Sequence, residues 1–191
     1  MNDTEVKQSL KTQTAKEFVA TKVLGQLPVL FSGDHDMHDT WRSEFSQRIG
    51  VSPESIVIVG SAAIGCSLNP YKNYKLFDDQ SDVDVAIISE THFLESWRYL
   101  RANNHQLNKQ PPKIKQSWEE HKVKYIFWGT IATDRLLAVF PFAPAWNRAV
   151  AQMRKIDPSN GRDISLRLYA DMDALRSYQC STVRMLQKEL R

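Results

Sequence analysis

The sequence is poor in cysteine, glycine and proline, and each shortage excludes a class of protein. The 191 residues include 2 cysteines, 7 glycines and 8 prolines. Two widely separated thiols, Cys66 and Cys180, are too few for the disulfide framework of a small secreted domain or for a zinc knuckle. The low glycine and proline content excludes collagen and low-complexity disorder. We therefore expect a globular protein with reduced thiols, located in the cytoplasm.

Long apolar segments are also missing. The longest such runs, at 55–60, 83–88 and 136–142, are far shorter than the roughly 20 residues that a helix needs to cross a bilayer. The N-terminal residues are polar and lack the apolar core of a signal peptide. The sequence therefore predicts a protein without a membrane partner.

Neither sign of charge dominates the chain. There are 25 Lys and Arg residues against 22 Asp and Glu residues, which gives a formal net charge of +3. A mildly basic chain permits a phosphate-rich partner but does not require one. With 42% hydrophobic residues, a chain of this length can bury a proper core. We expect one domain over 1–191, with a helical segment at 1–50 and a catalytic core from about 51 to 191.

Hydrophobic periodicity predicts alternating helices and strands. The predicted helices cover 5–25, a segment from Asp39 or Thr40 to Arg48 closed by Gly50, 93–102, 144–155 and 171–191. The predicted strands cover 56–59, 83–88 and 163–169, whereas 125–140 fits a strand or a helix equally well. A break with two prolines lies at 103–112. The expected fold class is α/β or α+β, with a mixed β-sheet flanked by helices and helices at both ends.

Two aspartates share one face of the second predicted strand. Asp82 and Asp84 alternate with Val83 and Val85, so the carboxylates project together while the valines enter the core. Neighbouring carboxylates repel one another unless a cation lies between them. Paired oxygen ligands of this kind suit Mg²⁺ or Mn²⁺.

A glycine and a serine follow the first predicted strand. Gly60 allows the backbone to turn sharply and to approach a ligand. Backbone amides and the Ser61 hydroxyl at the start of the next helix would form an anion site that suits phosphate. One strand thus ends in a phosphate site and the next presents an acid pair. A nucleoside triphosphate bound with Mg²⁺ requires both.

A hydrophobic strand, Gly60-Ser61, a helix containing Gly65, and then Ser81-Asp82-Val83-Asp84-Val85 resembles the pattern of the DNA polymerase β-like nucleotidyltransferase superfamily. The resemblance covers roughly 55–90. It implies a nucleotidyltransferase fold and transfer of a nucleoside monophosphate from a triphosphate to a hydroxyl of RNA, protein or a small molecule. Gly60 and Ser61 would hold the triphosphate. Asp82 and Asp84 would bind the metal and act as the catalytic residues.

The resemblance also implies a third carboxylate on a later strand. Asp163 is the only acid on the polar face of the strand at 163–169, and Arg167 lies where an acid would be expected. The loop at 67–80 is longer than in the minimal enzymes of the superfamily, and it contains Lys72. Asp163 is therefore a candidate for the third ligand or general base.

Two alternative functions remain open at this stage. Arg167 favours a nucleotide-binding sensor or partner-binding module without turnover. The other alternative is an interaction protein in which both motifs are coincidental, because short motifs are weak when taken alone.

Two further clusters have both a functional and a structural interpretation. Histidines and aspartates alternate at 34–39, where helix capping or a turn is more common than metal binding. Lysines at 109–124 are interleaved with Trp118 and Tyr125, a pattern found in nucleic-acid acceptor sites but also on solvated helix faces.

Overall fold

A computed structural model describes residues 3–190. Its sheet contains four strands, which are β1 (Ile56–Val59), β2 (Val83–Ile88), β3 (Thr130–Ile131) and β4 (Ile164–Tyr169). The α-helices of the described chain are α1 (Asp3–Thr12), α2 (Ala15–Phe18), α3 (His35–Ile49), α4 (Ser61–Ile64), α5 (Glu90–Ala102), α6 (Asn104–Leu107), α7 (Pro112–Glu120), α8 (Thr133–Leu136), α9 (Ala143–Met153) and α10 (Met172–Glu189). The expectation of a mixed sheet with flanking helices is confirmed.

The strands are arranged in the order β1-β2-β4-β3. The outer pairs, β1 with β2 and β3 with β4, are antiparallel, whereas the central strands β2 and β4 are parallel. The register places Val59 beside Asp84 on one side of β2 and Ser165 beside Asp84 on the other. The start of β2 therefore lies between the end of β1 and the start of β4.

The two faces of the sheet differ in polarity. One face is formed by aliphatic residues that are all buried, namely Val83, Val85, Ile87, Ile164, Leu166 and Leu168. The opposite face carries Asp84 and Ser165 and, one pair further along, Ala86 and Arg167. Alternation along each strand thus separates a core face from a face with charged side chains.

The predicted helix at 5–25 is in fact two helices. Thr14 accepts a hydrogen bond from the amide of Glu17, and the Glu17 carboxylate accepts one from the amide of Thr14, which forms a capping box. This box starts α2 afresh, and a π-helical turn at Val19–Val23 continues it. The Gln187 side chain of α10 donates to the carbonyl group of Leu10, in the last turn of α1, and to that of Gln13, in the break itself.

Helix α3 begins earlier than the sequence predicts. Asp34, not Asp39 or Thr40, is its N-cap and accepts a 2.8 Å hydrogen bond from the amide of Met37. The predicted end at Gly50 is confirmed, since Gly50 adopts a left-handed conformation there. Asp34 thus has the capping role that the structural interpretation of 34–39 proposed, and the following residues lie in the first turns of α3.

The less regular segments explain the ambiguous parts of the sequence. The break at 103–112 contains the short helix α6. Helix α7 continues as a π-helical turn at His121–Tyr125 and then as a 3₁₀ turn at Ile126–Trp128. The segment from 125 to 140 therefore combines short turns, β3 and α8, which is why no single periodicity fits it.

One hydrophobic cluster contains residues from both ends of the described chain. It extends from Val6 in α1 to Leu186 in α10 and includes both cysteines, which are buried thiols as expected. Within residues 3–190, no helix is both long enough and apolar enough to cross a membrane.

Candidate functional site

The chain turns abruptly at Gly60, between β1 and α4. Gly60 has φ 66° and ψ −151°, a combination that is accessible essentially only to glycine. Ser61, the first residue of α4, is half-buried beside this turn. The backbone geometry explains why a glycine occupies the end of this β-branched strand.

The turn at Gly60 lies against the carboxylate of Asp84. A Cβ atom placed on Gly60 would lie 2.5 Å from Oδ2 and 3.3 Å from Cγ of Asp84, closer than a real side chain allows. The antiparallel register between Val59 and Asp84 causes this approach. The structure therefore brings the predicted glycine turn together with Asp84, one member of the predicted acid pair.

The loop before β2 is fixed by Arg162. This guanidinium donates to the carbonyl groups of Asp78 and Ser81, at 2.5 and 3.2 Å, and lies 4.7 Å from the centre of the Phe77 ring. The Ser81 hydroxyl in turn donates to the Asp78 carboxylate at 2.8 Å. Asp82 directly follows this loop and is exposed to solvent.

Asp84 is an acid in an unfavourable environment. Its side chain is accessible from the solvent, but the surrounding protein desolvates the carboxylate, and this desolvation, together with the charge of Asp82, raises its pKa. The positive charges of Arg167 and Lys72 oppose the rise. Such a carboxylate gains from binding a cation, because a cation stabilises its ionised form.

Arg167 is held in place on the same face of the sheet as Asp84. It donates a 2.6 Å hydrogen bond to the Tyr178 hydroxyl and lies 3.6 Å from the Asp134 carboxylate. Its guanidinium also lies 5.6 and 5.3 Å from the centres of the Tyr125 and Tyr178 rings. Contacts from three elements thus fix a half-buried cation near the acid pair.

No family model, curated protein or solved structure matches this chain.

Asp134 is a functional candidate that the sequence does not predict. It lies in the first turn of α8, and its charge acts on both Asp84 and Arg167. Its segment of 125–140 has no clear periodicity, and its contact with Arg167 joins positions far apart in the sequence. The one sequence signal for Asp134 was its position as an acid near the start of a helix that follows a strand.

Asp163 has a different partner from the one that the sequence predicts. Its carboxylate forms a 2.7 Å ion pair with Arg154, which follows α9. In the register of the sheet, Ser165 is the residue that lies beside Asp84. Asp171, another acid near this strand, caps α10 by accepting a hydrogen bond from the amide of Ala174.

Two observations argue against a metal site at 34–39 and against a nucleic-acid site at 109–124. Among residues 3–190, no group of three or more histidine, cysteine, aspartate or glutamate side chains is placed to hold a metal ion. Trp118 and Tyr125 are only 3% and 5% exposed, so their rings are not available for stacking with nucleic-acid bases. The lysines of 109–124 are exposed, but neither of the aromatic residues interleaved with them presents an accessible face.

His121 connects α7 to the segment that carries Asp134. It is fully buried, its Nδ1 donates to the carbonyl of Ser117, and its Nε2 accepts a 2.9 Å hydrogen bond from the amide of Ala132. An Nε2 acceptor requires the neutral ring. Burial lowers the pKa of His121, which favours this neutral form.

His121 therefore predicts a loss of stability in acid. A histidine whose pKa is lowered by folding contributes its full stability above pH 6.5, its ordinary value, and loses it as the pH falls towards the lower native pKa. We expect His121→Ala to lower the free energy of unfolding by about 2–3 kcal/mol at pH 7. His121→Ala should also reduce the difference between the free energies of unfolding at pH 7 and pH 5. Urea denaturation at both pH values measures these free energies.

The exposed His105 offers a matched control. His105→Ala should change the free energy of unfolding by less than about 0.5 kcal/mol. A pH dependence in His121→Ala as steep as in the unmodified protein would contradict the prediction.

Proposed function

We propose that this protein is a metal-dependent nucleotidyltransferase with the fold of the polymerase β-like superfamily. It transfers a nucleoside monophosphate from a nucleoside triphosphate to an acceptor hydroxyl of RNA, protein or a small molecule, and it releases pyrophosphate. The contact of the Gly60 turn with Asp84 is the main support for this proposal. It joins a backbone turn suited to phosphate with a carboxylate suited to a metal.

The residues present fit a divalent cation. Asp82 and Asp84 offer carboxylate oxygens, which are the ligands that Mg²⁺ and Mn²⁺ prefer. Burial raises the pKa of Asp84, and a bound cation would favour its ionised form. The bound cation would neutralise charge on the phosphates and orient them.

The other residues of the site would position the triphosphate. The Gly60-Ser61 turn would bind phosphate oxygens through its amides and the Ser61 hydroxyl. Lys72 and Arg167 supply positive charge beside Asp84. Positioning and charge neutralisation account for most of the rate in phosphoryl-transfer enzymes.

A second candidate function is nucleotide binding without turnover. Arg167 favours it, because an arginine occupies the strand on which the resemblance predicts a third carboxylate. Such a protein would act as a sensor or as a partner-binding module.

Label transfer from triphosphates tests the proposal. The protein is incubated with each labelled nucleoside triphosphate, Mg²⁺ or Mn²⁺, and cell extract, and both transferred label and pyrophosphate are measured. We expect Asp82→Asn and Asp84→Asn each to lower pyrophosphate release at least about 100-fold, since each removes a metal ligand. Asp163→Asn is the matched control and should retain activity within about twofold, because Asp163 pairs with Arg154.

The outcomes separate the alternatives. Triphosphate binding that depends on both aspartates but gives no transfer and no pyrophosphate would support the binding module. A protein that binds no triphosphate would support the interaction protein with coincidental motifs. Equal losses in Asp163→Asn and Asp84→Asn would contradict the assignment of the acid pair.

A further inference from the structure

Arg167 lies one residue pair away from the acid pair along the sheet. Ser165 is beside Asp84, and Arg167 is beside Ala86, on the same face of the two central strands. The first basic group that follows Asp84 along this face is therefore the guanidinium of Arg167. The backbone of Arg167 is fixed because it belongs to a central strand of the sheet.

The contacts of Arg167 fix its guanidinium in place but leave some of its N–H donors unused. A guanidinium has five N–H donors. Its hydrogen bond to the Tyr178 hydroxyl uses one terminal nitrogen, and its ion pair with Asp134 uses the other. Donors therefore remain for an anion, and the flanking rings of Tyr125 and Tyr178 keep the group in position.

The carboxylates of the site suit a single additional cation. Asp82, Asp84 and Asp134 contribute three negative charges, and Arg167 and Lys72 contribute two positive charges. Because Asp134 is paired with Arg167, only Asp82 and Asp84 are left as ligands. No larger group of metal-ligating side chains exists in the described part of the chain.

We infer that the site binds its triphosphate with one divalent cation, and that Arg167 supplies the second positive charge by donating to a phosphate oxygen beside that cation. This inference rests on the proposed function. Phosphoryl-transfer sites commonly use two cations about 3.5–4 Å apart, which clamp the attacking and leaving oxygens. Here a second cation would lack a third carboxylate and would be repelled by the guanidinium.

Counting bound Mn²⁺ tests the inference. The full-length protein is titrated with Mn²⁺ in the presence of a saturating non-hydrolysable triphosphate, and free Mn²⁺ is measured by electron paramagnetic resonance. We expect one bound Mn²⁺ per chain, corrected for the triphosphate alone. Two Mn²⁺ per chain would overturn the inference and leave the proposed function standing. No binding of the triphosphate at all would overturn the proposed function itself.

Variants of Arg167 provide a second measurement that does not depend on turnover. Arg167→Lys keeps the charge but loses the planar fork and should weaken triphosphate binding about tenfold, measured by calorimetry, with the Mn²⁺ count unchanged. Tyr178→Phe keeps Arg167 but removes its hydrogen-bond partner, and it should weaken binding about threefold. It remains informative if Arg167→Lys fails to fold.

The exposed Arg176 of α10 provides the matched control. Arg176→Lys should bind the triphosphate as the unmodified protein does. Unchanged affinity in both folded site variants, or an equal loss in Arg176→Lys, would overturn the role of Arg167.

Discussion

Replacing Gly60 by alanine should abolish triphosphate and Mn²⁺ binding and lower the free energy of unfolding by about 1–3 kcal/mol. The backbone strain alone accounts for this energy, because the conformation of residue 60 is accessible essentially only to glycine. The added Cβ would also force the Asp84 carboxylate out of its position, since the two would otherwise lie 2.5 Å apart. We therefore expect the loss of binding to exceed what the loss of stability explains. Calorimetric titration and urea denaturation measure the two effects separately.

Gly50 is the matched control for this substitution. It also has a positive φ, 76°, but a Cβ placed there meets no atom within 4 Å. Gly50→Ala should cost about 1–2 kcal/mol through the left-handed backbone alone and should leave ligand binding intact. Equal binding by Gly60→Ala and Gly50→Ala would mean that the contact with Asp84 has no functional role.

Replacing Asp84 by asparagine should stabilise the protein while abolishing Mn²⁺ binding. Asparagine has nearly the same shape but carries no charge, so the cost of desolvating an ionised carboxylate disappears. Its single carbonyl oxygen is a weaker ligand for a hard divalent cation. We expect a higher Tm at pH 7 than in the unmodified protein, together with at least about a 100-fold loss of metal-dependent triphosphate binding.

The pH dependence of this gain follows from the raised pKa of Asp84. An acid whose pKa is raised by folding destabilises the protein fully above that raised pKa, and the cost disappears as the pH falls below the ordinary value of 3.8. The difference in Tm between Asp84→Asn and the unmodified protein should therefore shrink as the pH approaches 4. Asp173→Asn, at an exposed position in the first turn of α10, should not raise the Tm at pH 7. A lower Tm for Asp84→Asn at pH 7 would contradict the prediction.

The strands of the site were predicted well because each depends on local chemistry. The β-branched run that forms β1 and the alternation in β2 and β4 correspond to strands at Ile56–Val59, Val83–Ile88 and Ile164–Tyr169. Burial of one side of the sheet determines such patterns. The acid pair and the glycine turn could therefore be found at the ends of strands from the sequence alone.

Helix starts were predicted less well, although their signals were present. Thr14 and Glu17 have the spacing of a capping box, and Asp34 lies three residues before the amide that it caps. The start of α2 is hidden because the apolar periodicity continues across it. The start of α3 is hidden because other residues nearby could also cap a helix.

The surroundings of Arg167 could not be predicted from the sequence. They join a strand, the helix α10, a π-helical turn and the helix α8 through side-chain contacts between distant positions. No local periodicity encodes such contacts. The same reason explains why the sequence does not indicate Asp134 and points instead to Asp163, which lies on the expected strand.

The parallel pairing of β2 with β4 determines when the site is completed during synthesis. The pairing of Asp84 with Ser165 spans more than a third of the chain, and a ribosome adds roughly 5–20 residues per second. The acid pair therefore leaves the ribosome several seconds before Arg167. Until then β2 has only β1 as a partner, and the carboxylates lack the guanidinium beside them. A ligand that needs both charges can bind only after translation has passed β4.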